Sequence, residues 1–333
     1  MPALCRLVAQ LPADLAAAVF VVQHLAVDSS GEYLADRLSQ HTDLSCHLAA
    51  HGQHVFAGHL YLAPPDRHML IRDGHIVITK GPRENHYRPA VDTLFRSAAA
   101  SHGARTIGVV LTGMLHDGTA GLEFIKRAGG LTVVQHPRDA EFSSMPESAL
   151  SNVPIDFIAP LDEMGTLLQE LVRRPMPQNA PVPADIILEA SIAERVVGTT
   201  EEVDKLGTQV AMTCPDCGGS LWEMKHGEVL RYRCHTGHSF TADKLMQLTQ
   251  HSLEESMWVA LRMLEERKNL LSSMAHRGEA PNAPQQQERI QELKVHIDRL
   301  RQFLLNGAAG GPPADTQRPP SNDAPPPGGM VVA

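Results

Sequence analysis

The chain has 333 residues, with 29 lysines and arginines against 38 aspartates and glutamates, and its formal net charge is −9. Its 43% apolar and 20% charged residues are typical of folded proteins, and the length suits about two domains, so wholesale disorder is excluded. The acidic balance argues against non-specific nucleic-acid binding, though not against a local basic site. The sequence shows neither an apolar run of membrane-spanning length nor a signal-peptide pattern, which predicts a cytoplasmic protein without membrane insertion.

Residues 1–172 alternate apolar runs with helical patterns, as expected for a parallel sheet covered by helices. They predict an α/β domain with a doubly wound, mostly parallel sheet. A helix is expected over 3–11, and the apolar runs predict strands over 18–23, 61–65, 69–71, 75–79, 107–111 and 131–135.

Polar residues follow two of these strands directly. His24 ends the first, and the strand at 107–111 breaks into a glycine-containing loop that holds Met114 and Asp117. Ligands of open α/β sheets lie beyond the carboxyl ends of the strands. Asp117 could orient His24 as a general base, and the backbone N–H near Met114 could serve an oxyanion. A structural histidine and an ordinary Asp-Gly turn would give the same pattern.

A proline-rich stretch predicts a linker over 173–206, and a small ribbon follows over 207–241. The ribbon contains a C-x2-C pair and, after 16 residues, a C-x3-H pair, which can close a tetrahedral zinc site. The predicted ligands are Cys214, Cys217, Cys234 and His238, with His235 as the competing fourth ligand. Four protein ligands predict a structural zinc. Residues 214–244 hold four basic and four acidic side chains, so the ribbon lacks a nucleic-acid footprint.

Residues 242–306 predict a helical hairpin or short coiled coil. A long helix comes first, and Ile290, Leu293, Ile297, Leu300 and Leu304 then form a heptad seam about two heptads long. So short a seam fits packing against the preceding helix as well as self-association between chains. Residues 307–333 contain seven prolines and five glycines, and they predict a disordered tail.

Several motifs resemble the catalytic domain of the chemotaxis protein-glutamate methylesterases, the CheB family. They are Gln23-His24, the segments 61–68, 88–95 and 111–118, Gly129-Gly130 and Met145-Pro146. The resemblance implies a Ser-His-Asp triad that hydrolyses glutamate methyl esters on chemoreceptors without a catalytic cofactor. It implies His24 as the base, Asp117 as the orienting acid and the amide of Met114 as an oxyanion donor. A C-terminal region of this kind resembles appendages of stand-alone family members.

None of the motifs that match the family contains the serine of that triad. In the family it lies in a Gly-x-Ser-x-Gly-Gly turn after the first strand, which would place it a few residues before Met1. Cys5 falls on the following helix, and Ser29 and Ser30 come after the histidine. Either the start was assigned too late, at a GTG codon, or the enzyme is degenerate. We favour the first, because loss of a sheet strand would expose unpaired backbone and apolar helix faces.

Two functions therefore stand as expectations. One is a methylesterase in phosphorelay signalling, which cannot use its triad without the serine. It is expected to lack a receiver domain ahead of the catalytic region. Its partners would be methyl-accepting chemoreceptors. The alternative is a catalytically dead adaptor in a chemosensory pathway.

Overall fold

The computed structural model describes residues 2–24, 29–175, 181–276 and 283–307. The described residues up to Leu245 form one compact unit, and those from Met246 onward form another. The predicted tail at 307–333 lies outside the described residues except for its first residue. Within the described ranges, none of the helices combines the length and the apolar character needed to cross a bilayer.

The α/β part of the first unit is built from short strands and the helices between them. Its strands are Val19–Val21 (β1), Ser45–Leu48 (β2), His59–Leu62 (β3), His68–Arg72 (β4), His75–Thr79 (β5), Ile107–Val110 (β6), Leu131–Gln135 (β7) and Phe157–Ala159 (β8). Its helices are Pro2–Val8 (α1), Gly31–Ser39 (α2), Val91–His102 (α3), Thr119–Arg127 (α4), Ser144–Asn152 (α5) and Leu161–Val172 (α6).

The parallel strands are divided between two sheets. One has the order β1-β3-β2 and the other the order β6-β7-β8, and every pairing in both is parallel. The predicted parallel α/β class is confirmed, but the described strands do not form one continuous sheet. β1 and β6 are edge strands, and a largely apolar cavity of about 310 Å³ is lined by both of them and by α1. β4 and β5 form a separate antiparallel hairpin.

The segment expected to be a linker contains two helices, Ala184–Arg195 (α7) and Thr200–Leu206 (α8). The second begins with a capping box, in which Thr199 accepts from the N–H of Glu202 and Glu202 accepts from the N–H of Thr199. Ile186 of α7 is fully buried in the same apolar core as α3 and α4. The apolar side chains that anchor α7 are few, which explains why hydrophobic periodicity alone gave no helix here.

The ribbon is a four-stranded antiparallel sheet. Its strands are Gly207–Thr213 (β9), Ser220–Met224 (β10), Arg231–Cys234 (β11) and Ser239–Thr241 (β12), in the order β12-β11-β10-β9. β10 and β11 form its central hairpin, in which Trp222 pairs with Arg233. The flanking strands β9 and β12 were not predicted, because β9 is largely exposed and β12 is only three residues long.

The second unit contains two helices. Ala242–His276 (α9) begins in the first unit and continues into the second, where Ala283–Gly307 (α10) follows. Ile297 and Leu304 of the heptad seam are buried against Leu261 of α9. The seam is therefore used for packing within the chain, which is one of the two arrangements that the sequence allowed.

A buried cluster of ion pairs joins the ribbon to the α/β part of the first unit. Glu189 of α7 lies 3.0 Å from Arg231 and 3.6 Å from Arg233, both on β11. Arg96 of α3 donates to Glu84 at 2.9 Å and lies 3.8 Å from Glu189. All five side chains are almost completely inaccessible to water. Because a charge buried without a partner is costly, these pairs fix the ribbon, α7 and α3 relative to one another.

The Glu84–Arg96 pair predicts a loss of stability in acid. Burial raises the pKa of Glu84, but Arg96 outweighs it and holds this pKa at about 2. A carboxyl group in an unfolded chain titrates near pH 4.3. The pair's contribution is thus fully present above that pH and is lost as the pH falls toward about 2. Urea unfolding between pH 6 and pH 3 should show a shallower pH dependence for Glu84→Gln than for wild type, and parallel curves would contradict this assignment.

Candidate active site and candidate metal centre

His24 and Asp117 meet at the carboxyl ends of β1 and β6. His24 lies three residues after the end of β1 and Asp117 seven residues after the end of β6. The His24 Nε2 atom lies 2.7 Å from Asp117 Oδ2. The Asp117 side chain is fully buried, whereas 24% of the His24 side chain is exposed. A buried carboxylate thus faces a partly exposed histidine.

Asp117 is held by the first turn of α3. Its Oδ2 atom accepts from the N–H of Val91 at 2.7 Å, and its Oδ1 atom accepts from the N–H of Asp92 at 3.2 Å. These N–H groups lack partners inside the helix, and the positive end of the helix dipole favours an anion there. A proton on Nε2, donated to Asp117, leaves the His24 Nδ1 atom free to accept a proton, as a general base requires.

Tyr87 stacks on His24 and was missed from the sequence. The two rings are nearly parallel, at an angle of 5°, and their centroids are 3.8 Å apart. Burial, together with the negative charge of Asp117, raises the pKa of Tyr87, which keeps the phenol neutral. The His24 ring is therefore fixed by a hydrogen bond at its edge and by an aromatic ring on its face.

The cavity between β1 and β6 opens beside this pair. His24 and Met114 both line it, together with apolar side chains of the two strands and Met145. Met114 is itself 61% exposed. The loop is anchored next to it, because Gly113 donates to Phe142 O at 3.0 Å and Leu115 donates to Ser144 Oγ at 3.1 Å. The oxyanion role of the Met114 amide stays a prediction.

The sequence of the polar cluster at residues 83–88 allows two interpretations, a substrate-binding group or a solvated surface. The structure supports neither for its central members, because Glu84 and Asn85 are each only 4% exposed. Arg88 is bound to Asp66, with 2.6 Å between Nη2 and Oδ1. His68 is buried, and its Nε2 atom lies 2.9 Å from Pro82 O. These side chains hold the loop rather than face a substrate.

The structure brings the four predicted metal ligands together. Ligand atoms of Cys214, Cys217, Cys234 and His238 all lie within 4.8 Å of one another. The ring of His235, the competing ligand, instead lies beside Trp222, with 6.4 Å between ring centroids. This arrangement shows a Cys3His cluster that could hold a metal ion.

The spacing of these atoms fits a tetrahedral ion with sulfur ligands. Zinc–sulfur bonds of about 2.3 Å and zinc–nitrogen bonds of about 2.0 Å require S–S and S–N separations of about 3.8 and 3.5 Å. The Cys217 and Cys234 sulfurs are 3.8 Å apart, and Cys234 Sγ lies 3.5 Å from His238 Nδ1. Gly218 and Gly237 have φ values of +72° and +107°, which allow the tight turns beside the ligands.

The α/β part of the chain matches a known protein family and several of its members. The sequence profile of the CheB methylesterase family matches residues 1–168. A protein-glutamate methylesterase/protein-glutamine glutaminase from Anaeromyxobacter dehalogenans is 38% identical over 171 residues, 51% of this chain and 50% of the relative. A putative one from Leptospira interrogans is 34% identical over 170 residues, 51% of this chain and 88% of the relative. The chain therefore spans half the length of the first relative and most of the second.

A solved structure is also similar to this part of the chain. The crystal structure of the Thermotoga maritima CheB methylesterase catalytic domain is 31% identical, with a TM-score of 0.49. The match covers 51% of this chain and 92% of that one. On the match to residues 1–168 and on the two relatives, the chain belongs to the CheB methylesterase family.

Proposed function

We propose that the protein is a protein-glutamate methylesterase that hydrolyses glutamate methyl esters on methyl-accepting receptors in the cytoplasm, as part of phosphorelay signalling. The observation that carries this proposal is the hydrogen bond between His24 and the buried Asp117. Asp117 in turn accepts from the N–H of Val91 at the start of α3. The names of the relatives support the substrate class, since both names include protein-glutamate methylesterase beside protein-glutamine glutaminase.

The proposed reaction is acyl transfer through a serine. His24 Nδ1 takes the proton of the serine hydroxyl as its oxygen attacks the ester carbonyl, and Asp117 stabilises the imidazolium that forms. The amide of Met114 donates to the oxyanion. His24 then gives its proton to the leaving methoxide, methanol departs, and a water molecule activated by His24 hydrolyses the acyl-enzyme. The products are methanol and a free glutamate side chain.

Judged by the resemblance, residues 1–333 supply every group of this mechanism except the serine. The proposal places it upstream of Met1, within the same reading frame. If it is absent from the protein, the adaptor function takes its place, and the pair at His24 would then serve recognition rather than chemistry.

A receptor carrying tritiated methyl esters tests the proposed function. The protein is prepared as residues 1–333 and as a longer chain that includes the in-frame codons upstream of Met1. We expect labelled methanol from the longer protein and none from the shorter. If neither protein releases methanol but both bind the methylated receptor, the esterase proposal is wrong and the adaptor function is supported.

We also propose that the Cys3His cluster binds zinc as a structural ion. With four protein ligands it would hold the ribbon together and take no part in catalysis. We expect one zinc per chain in protein purified without chelators, and loss of that zinc in Cys217→Ser. Cys46→Ser is the matched control, since Cys46 lies on β2 outside the cluster. A metal analysis that finds no zinc in wild type would contradict this assignment.

Self-association through the helical unit is a further part of the proposal. The heptad seam packs within the unit, so contacts between chains would have to use other apolar side chains. Trp258, Met263 and Leu270 on α9 and Phe303 and Leu305 on α10 are each more than half exposed. Sedimentation equilibrium of wild type and of Trp258→Glu checks this, and a monomeric wild type would contradict it.

A further inference from the structure

The last strand of the ribbon is hydrogen-bonded to the turn at residues 84–87. Asn85 donates its backbone N–H to Ser239 O at 2.8 Å. In return, Thr241 donates its N–H to the side-chain oxygen of Asn85 at 3.0 Å. Asn85 is buried and adopts a φ of +48°, a conformation that asparagine tolerates better than most residues. The ribbon strand β12 therefore fixes both the backbone and the side chain of Asn85.

Asn85 passes this contact on to Asp92. Its side-chain N–H donates to Asp92 Oδ2 at 2.8 Å. The other oxygen of Asp92 accepts from the N–H of Gly118 at 3.0 Å and from the N–H of Gly121 at 2.6 Å. Gly118 is the residue directly after Asp117. Asp92 thus holds the turn that carries the catalytic carboxylate, and Asn85 orients Asp92.

The other end of the same turn reaches His24. Glu84 and Tyr87 exchange two backbone hydrogen bonds, at 3.2 and 2.9 Å, which close the turn. Tyr87 then stacks on the His24 ring. One short turn is therefore connected to both members of the His24–Asp117 pair, through Asp92 on one side and through Tyr87 on the other.

The Cys3His cluster lies on the ribbon side of the contact between β12 and residues 84–87. Ser239, which accepts from Asn85, directly follows the cluster residue His238. Asp216, between two of the cysteines, lies 3.4 Å from the Nδ1 atom of His86, in the middle of the turn. Closing the ribbon around an ion would therefore fix β12 against residues 84–87.

We infer that the metal-bound ribbon positions the His24–Asp117 pair, and that Asn85 is the positioning residue through which it acts. The catalytic meaning of this inference rests on the proposed function, but its geometry does not. The ribbon is then a structural part of the active site rather than an independent appendage. Removing its metal or the Asn85 side chain should release the pair while the α/β core stays folded.

Imidazole nitrogen NMR on histidine-labelled protein tests this inference without any substrate. The His24 signals are assigned by their loss in His24→Ala. In wild type loaded with zinc, we expect the nitrogen shifts of a single tautomer with the proton on Nε2. Asn85→Gly keeps the positive φ accessible and removes the side-chain amide. It should move the two His24 nitrogen shifts toward each other, as expected for exchange between tautomers. Asn152→Gly is the matched control, since the exposed Asn152 side chain donates to Ser148 O in its own helix at 2.8 Å.

Chelation of the metal is the second measurement, because it leaves the sequence unchanged. We expect it to alter the His24 signals in the same direction as Asn85→Gly. In the longer protein, Asn85→Gly should lower kcat by about 100-fold with little change in KM, as for a misplaced catalytic group. Unchanged His24 signals in both the metal-free protein and Asn85→Gly would overturn the inference.

The outcomes also separate this inference from the proposed function. His24 signals that respond to the metal, in a protein that releases no methanol, would uphold the positioning and contradict the esterase. Methanol release, with His24 signals that change neither on metal removal nor in Asn85→Gly, would support the esterase and contradict the positioning.

Discussion

Replacing His24 by alanine in the longer protein is expected to lower kcat for methanol release by about 10⁶-fold, as in other triads that lose their base. The loss comes from removing the atom that takes the serine proton, and from leaving Asp117 without the imidazolium that it stabilises. KM should change little, because the interaction that is lost forms in the transition state. Initial rates on receptor with tritiated methyl esters measure both constants.

His136→Ala is the matched control for this variant. His136 directly follows β7, at the same edge of the neighbouring strand, but its side chain is exposed and accepts from the N–H of Arg138. Its kcat should stay within a factor of two or so of wild type. A His24→Ala protein that keeps the wild-type rate would show that the pair has no part in the reaction.

Replacing Glu189 by glutamine is expected to lower the free energy of unfolding by about 3–5 kcal/mol. Glu189 lies within 3.8 Å of Arg96, Arg231 and Arg233. Neutralising it leaves three buried guanidinium groups opposite Glu84 alone within this cluster. Because β11 carries two of them, the ribbon should loosen along with α7. Urea unfolding followed by circular dichroism measures the change.

Glu194→Gln on the same helix is the control for Glu189. Glu194 also pairs with an arginine, Arg72, but that arginine is mostly exposed. Exposed ion pairs contribute at most about 1 kcal/mol, so this variant should unfold close to wild type. Equal destabilisation by the two substitutions would contradict the role assigned to burial.

The positions of His24 and Asp117 could be predicted because they depend on one simple rule. Parallel strands place their carboxyl ends at the same edge, so polar residues that follow two apolar runs meet there. The metal cluster could also be predicted, since the spacing of Cys214, Cys217 and Cys234 is typical of a closed metal site. Both features are local in sequence or follow from a regular element.

The contacts that connect these two features could not be predicted. Arg231 and Arg233 alternate along β11 in a pattern typical of a solvated face, but Glu189, over 40 residues earlier, buries them. Asn85 and Tyr87 act through a four-residue turn with two residues of positive φ, and no periodicity marks such a turn. The role of each depends on a partner far along the chain, which only the fold brings close.

Labelling with a fluorophosphonate reports on the activated serine itself, because this reagent phosphonylates a serine only when a neighbouring base activates it. The longer protein and its His24→Ala variant are treated in parallel, and intact mass spectrometry counts the adducts. The proposed mechanism predicts a single adduct on the upstream serine of the longer protein, with at least a 100-fold slower reaction in His24→Ala, as general-base contributions imply. An adduct that forms equally fast in both proteins, or no adduct at all, would contradict it.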